Sequence, residues 1–550
     1  MKKLYFYFIA AGLVCLAAAC NKEADVQAPA PEAQTQKVII HAGMEGSGTK
    51  VSIDGSTGKF SWNEGDKIAV HTSGADWVES DELGADPGAS ADFTLSLTDA
   101  ERDWFAVYPS SSAGTVSASA LTISYPDTYY LKSLDSEDAR LVMVAKNAPG
   151  KDLEFKHVGA ILRLTVKDVP KGAHSLYVNF LDKIVHGNFD VTGLDSEPFA
   201  PTVTATSGSC RVIFYFPSSL AAMQDVVLNI PVPTGDLGRI KVQAADAGGY
   251  DFTNPLTITG PTLARAHGKK MEMYLPTFSV SATKKVIFSP GNLQASTTDY
   301  GTNWTWGFAK QQYELLASNA TVNGKMAIAE ESGSRDIFRW SNAKSADFGI
   351  NAEEVSTYYD YVNNTFLDWG TNVIDGYPAG TWRTPGANLT YTFSSLPANI
   401  EALSGRGEIE YLFEERSAST ITGLTAVGGD DIVVDNSRYV KAYVCGVRAY
   451  VLFPDHFIYP EGVDKAPLIN RGDSWWRATY DATTWPKMEA AGAICLPCVN
   501  GSVFYYTSTY NVGDVDGWGV NMMDLHYNYG RIGWGRPYQN YHVRLVRDAN

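Results

Sequence analysis

The clearest fold signal in this chain is the run Leu153-Glu154-Phe155-Lys156-His157-Val158-Gly159-Ala160-Ile161-Leu162-Arg163-Leu164-Thr165-Val166. Apolar side chains recur at every second position through most of it, which is typical of a strand that buries one face. Shorter β-branched and aromatic runs, such as 38–40 and 211–216, lie between Gly, Pro, Asp and Ser at intervals of roughly ten residues. No long helical period occurs before residue 276, so the sequence predicts β-sandwiches there.

Composition excludes several classes of protein. The 550 residues carry 44 Lys and Arg against 61 Asp and Glu, a net charge of −17, and so acidic a body repels nucleic acid. Apolar residues make up 45%, which argues against a disordered chain. Six cysteines are too few for a disulfide-based scaffold in a chain of this length.

The first residues are interpreted as a lipoprotein signal peptide, residues 1–20. Lys2 and Lys3 precede an apolar stretch, 4–19, whose helical length of about 24 Å is short of a membrane core. The segment Leu16–Cys20 resembles a bacterial lipobox, in which the Cys20 thiol is acylated. An ordinary cleavage site with an incidental cysteine is the alternative. Residues 21–36 are polar and predict a flexible tether, so the chain is expected at the outer membrane, lipid-anchored on the cell surface.

Tryptophan divides the rest of the chain. Three Trp precede residue 276 and ten follow it, which predicts two kinds of domain with a boundary near Pro276. We therefore expect a first β-sandwich over residues 37–150, a second over 151–276, and a different domain over 277–550.

The ordered motifs of the first half resemble a known family. They are Phe60–Val70, Phe105–Pro109, Leu153–Leu164, Ile230–Pro233 and Gly268–Met273. Their order resembles the fimbrillin family of Gram-negative surface pilins across about residues 37–275. The resemblance implies two transthyretin-like β-sandwich subdomains made as a lipoprotein precursor.

The same resemblance implies a mode of assembly. In that family a trypsin-like cut removes the first strand, and a strand of a neighbouring fimbrial subunit fills the groove. Lys50, which follows Gly48-Thr49, is the basic residue best placed for the cut. The alternative is that Lys50 is an ordinary loop lysine.

The second half shows its own ordered motifs. They are Lys285–Gln294, Trp304–Ala309, Asp336–Ser341, Phe366–Gly370, Trp382–Pro385, Gly407–Arg416 and His542–Arg547. Together they resemble, over about residues 280–548, the C-type-lectin-like fold shared by formylglycine-generating enzymes and the variable receptor proteins of diversity-generating retroelements. The resemblance implies an α+β domain whose last core strand is marked by Val543–Val546.

Two short helices and a strand are predicted within this half. Ile409, Leu412 and Phe413 share one helical face. Thr484 and Pro486 start a second helix, over 484–491, because proline favours the first helical turn. The apolar run 493–497 is expected to form a strand.

The stretch 518–542 is the candidate ligand-binding surface, as the variable-protein resemblance implies. Aromatics reach 20% in residues 501–550 against 12% overall, and Lys is absent there. Rigid rings with adaptable polar groups are typical of a paratope for a host or bacterial surface protein or glycan. A wet structural loop with locally packed rings is the alternative. The candidate ligand-binding residues are Trp518, Asn521, Tyr527, Asn528, Tyr529, Arg531, Trp534, Arg536, Tyr538 and Asn540.

No catalytic residue, metal or cofactor is expected. Residues 499–550 contain no Cys, so the cysteine chemistry of formylglycine-generating enzymes does not carry over. Cys495 and Cys498 lack two further zinc ligands nearby and are expected as free or weakly coupled thiols. A disulfide between them is the alternative, although a two-residue spacing within a strand makes its geometry awkward. Asp514-x-Asp516-Gly517 lacks the distal Glu of a calcium loop. His157 stands alone in an alternating strand and is expected to be structural.

These observations predict a mostly β cell-surface lipoprotein adhesin, a fimbrial tip or fimbrium-associated subunit that is not an enzyme. Two alternatives stay open. One is a non-polymerising surface lipoprotein with an enzymatic or nutrient-capturing C-terminal domain, and the other is a structural fimbrial stalk subunit.

Overall fold

The structure is a computed structural model of the full chain. It describes residues 36–44, 62–72, 76–85, 87–88, 90–97, 104–117, 120–135, 141–147, 152–196, 199–252, 255–281, 283–297, 303–316, 321–322, 325–326, 334–339, 367–386, 408–413, 439–464, 478–498, 502–511, 519–526, 530–535 and 540–550. The expectation of a mostly β protein is confirmed. Within those ranges, no helix has the length and apolar character needed to cross a membrane.

Twenty-one strands lie among the described residues before Pro276, and β22 follows just after it. They are β1 (Gln36–Met44), β2 (Ala69–Thr72), β3 (Trp77–Glu79), β4 (Ser90–Leu97), β5 (Trp104–Tyr108), β6 (Ala113–Val116), β7 (Leu121–Tyr125), β8 (Thr128–Tyr130), β9 (Met143–Asn147), β10 (Leu153–His157), β11 (Gly159–Val169), β12 (Ser175–Phe180), β13 (His186–Thr192), β14 (Thr202–Ser209), β15 (Arg211–Tyr215), β16 (Gln224–Pro233), β17 (Gly235–Asp236), β18 (Arg239–Ala245), β19 (Leu256–Thr259), β20 (Thr262–Leu263), β21 (Gly268–Tyr274) and β22 (Phe278–Ser279). A 3-10 turn spans Ser110–Ser112.

A seven-stranded sheet in the order β3-β2-β5-β9-β10-β1-β4 begins the molecule. Its core is built on Trp62, which is 2% exposed and meets the rings of Phe93 and Phe155 edge-on. The neighbouring Asp66 is also buried, and its carboxylate accepts a hydrogen bond of 3.0 Å from the Tyr108 hydroxyl. The motif 60–70 therefore supplies both a ring and a satisfied polar anchor to this core.

The next core lies between two further sheets. One has the order β16-β11-β21 and the other β19-β18-β12-β15-β8. The alternation that predicts this strand is confirmed, because Leu162, Leu164 and Val166 of β11 are all fully buried. They pack with the inward faces of β12, β15, β16 and β18 in one apolar cluster.

Hydrogen-bonded sheets run across residue 150. The four-stranded sheet β14-β13-β7-β6 joins strands from both sides of that position, and β8 pairs in parallel with β15. These sheets join the segments 37–150 and 151–276, and the division into two sandwiches at residues 150 and 151 stays a prediction.

Sixteen further strands and two short helices follow in the part of the chain that the structure describes. They are β23 (Lys285–Phe288), β24 (Leu293–Ser296), β25 (Thr305–Phe308), β26 (Thr321–Val322), β27 (Lys325–Met326), β28 (Ser334–Arg335), β29 (Phe338–Arg339), α1 (Glu408–Phe413), β30 (Tyr439–Val444), β31 (Val447–Leu452), β32 (Ala478–Tyr480), α2 (Trp485–Ala490), β33 (Ile494–Pro497), β34 (Ser502–Asn511), β35 (Gly519–His526), β36 (Gly530–Gly535), β37 (Asn540–Tyr541) and β38 (Val546–Asp548). A 3-10 turn spans Trp369–Thr371.

Both predicted helices and the strand β33 are confirmed, with Ile409 and Leu412 buried and Pro486 in the first turn of α2. The last strand differs from its prediction: β38 begins at Val546, and residues 543–545 are buried but not part of a strand. Their carbonyls accept from separate backbone positions, Val543 from Leu293 and Leu545 from Ser289. This segment is held by loop hydrogen bonds rather than by a ladder.

A cluster of charged groups surrounds a buried carboxylate in the second half. The Glu408 carboxylate is 1% exposed and receives two hydrogen bonds from Arg383, at 2.8 and 2.6 Å. Lys284 Nζ lies 2.8 Å from it and the Gly386 N–H 2.7 Å. Burial alone raises the pKa of Glu408, but the Arg383 hydrogen bonds and charge outweigh it, and the pKa is lowered. Glu408 is therefore held ionised.

The two halves meet across a polar and aromatic seam. Lys285 Nζ lies 2.7 Å from Asp168 of the second sandwich and 3.3 Å from Asp455. The Arg547 guanidinium lies over the Phe252 ring, 3.7 Å from its centroid. Charge and cation–π contacts thus join the halves at this seam.

Replacing Glu408 by Gln should lower the free energy of unfolding by about 3 kcal/mol, because it leaves Arg383 buried without its carboxylate. The folded-state pKa of Glu408 is depressed, so its contribution is present above the unfolded pKa of roughly 4.3 and is lost as pH falls through the folded value. Denaturation curves at neutral and acidic pH should show Glu408→Gln converging on wild type in acid. Asp195→Asn, which breaks the exposed pair with Lys146, is the control and should show no such convergence. A constant difference between Glu408→Gln and wild type at every pH would contradict the assignment.

Candidate ligand-binding site

The predicted ligand-binding stretch lies on a three-stranded antiparallel sheet, β34-β35-β36. In its register Asn521 of β35 is the partner of Trp534 of β36. Arg531 pairs with Asp524 in the same ladder. Asn540 lies in β37, which pairs with β29 instead. The backbone therefore brings Asn521, Arg531 and Trp534 onto one ribbon and places Asn540 at its return to the core.

The remaining candidates lie outside the described residues. They are Trp518, Tyr527, Asn528, Tyr529, Arg536 and Tyr538, together with Cys20, Lys50 and the Asp514–Gly517 motif. Residues 527–529 connect β35 to β36 in the chain, and residues 536–539 connect β36 to β37. These assignments stay predictions.

The stretch forms strands where the sequence pattern did not indicate any. It lacks apolar alternation, yet β35 and β36 are paired through six residues each. The backbone hydrogen bonds of the hairpin stabilise these two strands. Such bonds do not require an alternation of apolar and polar side chains. Residues 519–526 and 530–535 are therefore strands rather than loop, and the choice between locally packed rings and a ligand-binding surface stays a prediction.

The base of the ribbon is anchored by buried aromatics. Tyr505 and Tyr506 of β34 are fully buried. The Tyr506 ring stacks on Trp369 at 6.0 Å and meets Tyr541 edge-on at 5.1 Å. Tyr506 N–H also donates to the His542 carbonyl at 3.0 Å, so both ends of the stretch are fixed to one floor.

His542 ends the stretch as a structural residue. It is 4% exposed, and its Nδ1 donates to the Asp336 carbonyl at 2.9 Å. Burial lowers its pKa, with Asp336 acting in the opposite direction. A neutral imidazole that donates from Nδ1 fixes its ring and the backbone beside it.

Arg544 supports the same region from beneath. It is fully buried, and burial lowers its pKa to about 10. Its Nη2 donates to Gln312 Oε1 at 2.9 Å, and the same oxygen accepts from the Cys495 N–H at 2.9 Å. Asn292 Nδ2 donates to the Tyr505 hydroxyl at 3.1 Å. These amides take the place of a carboxylate partner for the guanidinium.

Much of the aromatic excess of the second half lies in its core. Among the described residues of this half, the buried tryptophans are Trp306, Trp369, Trp382 and Trp485, each at most 6% exposed. The high aromatic content of the second half therefore reflects core packing as much as ligand binding. Only the local composition of residues 518–542 supports a ligand-binding surface.

No other chemical centre emerges from the described residues. Cys495 and Cys498 are buried free thiols, as expected, and burial raises the pKa of Cys495. His157 is fully buried at the end of β10. In the part of the chain that the structure describes, no group of three or more His, Cys, Asp or Glu side chains could hold a metal.

No protein-family model and no curated protein matches this chain. Solved structures that are similar to it are adhesion and fimbrial proteins. A putative cell adhesion protein from Bacteroides uniformis is 13% identical, covers 43% of this chain and 92% of its own, with a TM-score of 0.25. The tip fimbrial protein Mfa3 from Porphyromonas gingivalis, with C-terminal truncation, is 10% identical over 43% of this chain and 94% of its own, with a TM-score of 0.21. A fimbrial protein from Bacteroides ovatus is 9% identical over 92% and 98%, with a TM-score of 0.18. At these TM-scores we transfer no residue role.

The supporting frame of the site was not predicted as a unit. Its hydrogen bonds join residues that are far apart in the chain: Asn292, Gln312, Cys495 and Arg544. The most distant bonded pair, Arg544 and Asn292, is separated by 252 residues. Pairings over such distances leave no local pattern in a single sequence. A buried Arg544 between apolar neighbours Val543 and Leu545 is the one signal that the sequence offers, since buried Arg requires partners.

Replacing Tyr506 by Ala should lower the free energy of unfolding by about 3 kcal/mol, because it opens a gap between Trp369 and Tyr541. Chemical denaturation measures the change. Tyr130→Ala is the matched control, since Tyr130 is 79% exposed, and should leave the midpoint near wild type. Equal effects of the two variants would show that the floor is not a packed core.

Proposed function

We propose that the chain is a surface-anchored adhesin of a fimbrial type, which binds a protein or glycan through the ribbon and loops of residues 518–542. The single observation that carries the proposal is the contrast between an anchored base and a paratope-like composition above it. Tyr505, Tyr506 and His542 hold the base. The stretch between is rich in Trp, Tyr, Asn and Arg and contains no Lys.

The position of β1 supports subunit assembly by strand exchange. β1 lies inside the seven-stranded sheet, antiparallel to β4 and parallel to β10. Its Ile40, Ala42 and Met44 are buried in the same core as Trp62. Loss of β1 would uncover two strand edges and an apolar groove between them, which is the geometry that an incoming strand fills. Lys50 follows β1 by six residues, so a cut there would free this strand.

The position of β38 supports a terminal place in such an assembly. β38 pairs with β23, and the adjoining Arg544, Leu545 and Val546 are fully buried. Donating β38 and these buried residues to a neighbour would remove a charged and an apolar part of the core. A chain that can accept a strand but not donate one belongs at a fibre tip.

Replacing Tyr527, Tyr529, Trp534 and Tyr538 by Ala should abolish binding to cells or to an array of glycans and host proteins, because the rings supply the contact area. The thermal midpoint should stay close to wild type. A control variant carries Ala at Val373, Tyr130 and Ile458, three exposed positions outside the stretch, and should bind as wild type. Unchanged binding by the four-ring variant would overturn the assignment of the site.

Lys50→Gln should prevent release of the N-terminal strand and incorporation into fibres, since a trypsin-like protease requires the basic side chain. Mass spectrometry of surface protein and immunogold labelling of fibres measure the two outcomes. Lys59→Gln is the control and should be processed normally. Intact processing of Lys50→Gln, or labelling along the whole fibre rather than at one end, would contradict the cleavage site or the tip position respectively.

A further inference from the structure

The strand β14 is an open edge of the sheet β14-β13-β7-β6. Among the described strands it pairs with β13 alone. Seven of its eight side chains are exposed, and Val203 is the one that is partly buried. The strand therefore extends beyond the packed core with both faces open to solvent, and one row of its backbone N–H and C=O groups points away from the sheet.

This edge lacks the features that usually prevent edge strands from pairing. Its sequence, TVTATSGS, contains no charged residue and no proline. The other long edge strands described in the first half are guarded: β4 carries Asp92, β21 carries Lys270 and β16 carries Pro231. The remaining edge strands described there have four residues or fewer. A long, uncharged edge is a template for the addition of another strand.

One irregularity limits how tightly β14 can pair. The β13–β14 ladder shifts register between the pairs Asn188–Ser207 and Phe189–Ala205, so Thr206 forms a bulge. The Thr206 hydroxyl donates to the Asn188 carbonyl at 3.1 Å. A bulge twists its strand and shortens the regular part of the edge. The edge therefore fits a weak, reversible contact rather than a permanent one.

The charge of the chain indicates which strand can be added here. Two copies with a net charge of −17 each repel one another, so contact between them costs least where the surface carries no charge. In an antiparallel pair of two β14 strands, small hydroxyl side chains lie opposite each other, and cross-strand Thr–Thr and Thr–Ser pairs are favourable. A partner recognised by charge or by large apolar side chains would find neither on this strand.

We propose that β14 pairs antiparallel with β14 of a second copy of this chain across a twofold axis. The two four-stranded sheets then form one continuous sheet of eight strands. Eight residues a side bury less than the roughly 1,200 Å² of a standard stable interface, so the dissociation constant should be about 0.1–1 mM. The contact involves neither the groove under β1 nor the stretch 518–542, and it does not depend on the proposed adhesin function.

Sedimentation equilibrium of the full chain at physiological salt, up to about 0.5 mM, tests the proposal. The wild-type chain should form a dimer and no larger species, because pairing uses up both edges. Thr202→Lys with Thr206→Lys should weaken the dimer at least about tenfold, since each lysine faces a lysine of the second copy in a pair centred on Thr204. Ser90→Lys with Ser96→Lys makes the same change of charge on exposed positions of β4, and this control should dimerise as wild type.

A charge-swap experiment identifies the partner as a second β14 strand. Thr202→Glu with Thr206→Glu should also weaken self-association at least about tenfold. Mixed in equal amounts, the lysine and glutamate variants should associate with each other at least as strongly as wild type, because opposite charges then face across the pair. A contact between β14 and a different surface would not show this recovery.

Circular dichroism checks that each variant is folded, and if the lysine variant is not, the glutamate variant decides against wild type and the β4 control. A wild-type chain that stays monomeric throughout this concentration range overturns the proposal. A dimer that the substitutions in β14 do not weaken, or a mixture of the two charged variants that does not associate, also overturns it. The four-ring variant of the stretch 518–542 should dimerise as wild type, and loss of its dimer would place the contact on that stretch instead.

Discussion

Donors from two distant segments of the chain meet on the buried carboxylate of Glu408. They come from Lys284, Arg383 and the Gly386 N–H. A carboxylate at this depth is stable only when such donors replace its lost water, so the three segments must arrive together. Arg383 also holds Asp548 through Nε at 3.1 Å. The start of the half at Lys284, its middle and the chain end at Asp548 are thereby fixed relative to one another.

This cluster also determines where the candidate binding ribbon is attached. Pro385, two residues from Arg383, accepts a hydrogen bond of 2.9 Å from the Ser508 N–H of β34. His542 pairs with β34 at the other end of the stretch. The residues on either side of 509–541 are thus both attached to the buried floor, which the ion cluster supports. Substitutions within the ribbon can change its surface while this floor, built from other residues, stays the same.

The sequence pattern predicted those strands and helices whose formation depends on neighbouring residues. The alternation of 153–166 foretold β10 and β11, and the spacing of Ile409 and Leu412 foretold α1. Elements defined by distant pairing were missed. β6 and β7 join β13 and β14 across the expected boundary at residue 150, because strand partners are chosen by the whole sheet and leave no local mark. The ribbon β35-β36 was missed for a different reason: it is a local hairpin, but its strands, GVNMMDLH and GRIGWG, lack a regular alternating face.

The tryptophan excess of the whole second half overstated its role in binding, whereas the local composition of residues 518–542 supports such a role. Aromatics meet two physical needs, filling a core with large rigid side chains and covering a binding surface with them. Trp306, Trp369 and Trp382 meet the first need in one buried cluster, so part of the tryptophan excess of the half reports a ring-built core. Rings at the base of the last stretch belong to that core as well. Residues 518–542 differ from the core in the residues that accompany their rings. These are Asn, Arg and Gly, with no Lys and no apolar alternation, and burying such a mixture in a core would be too costly. The polar residues that accompany those rings therefore support binding, and they would do so even if the half contained no excess of tryptophan.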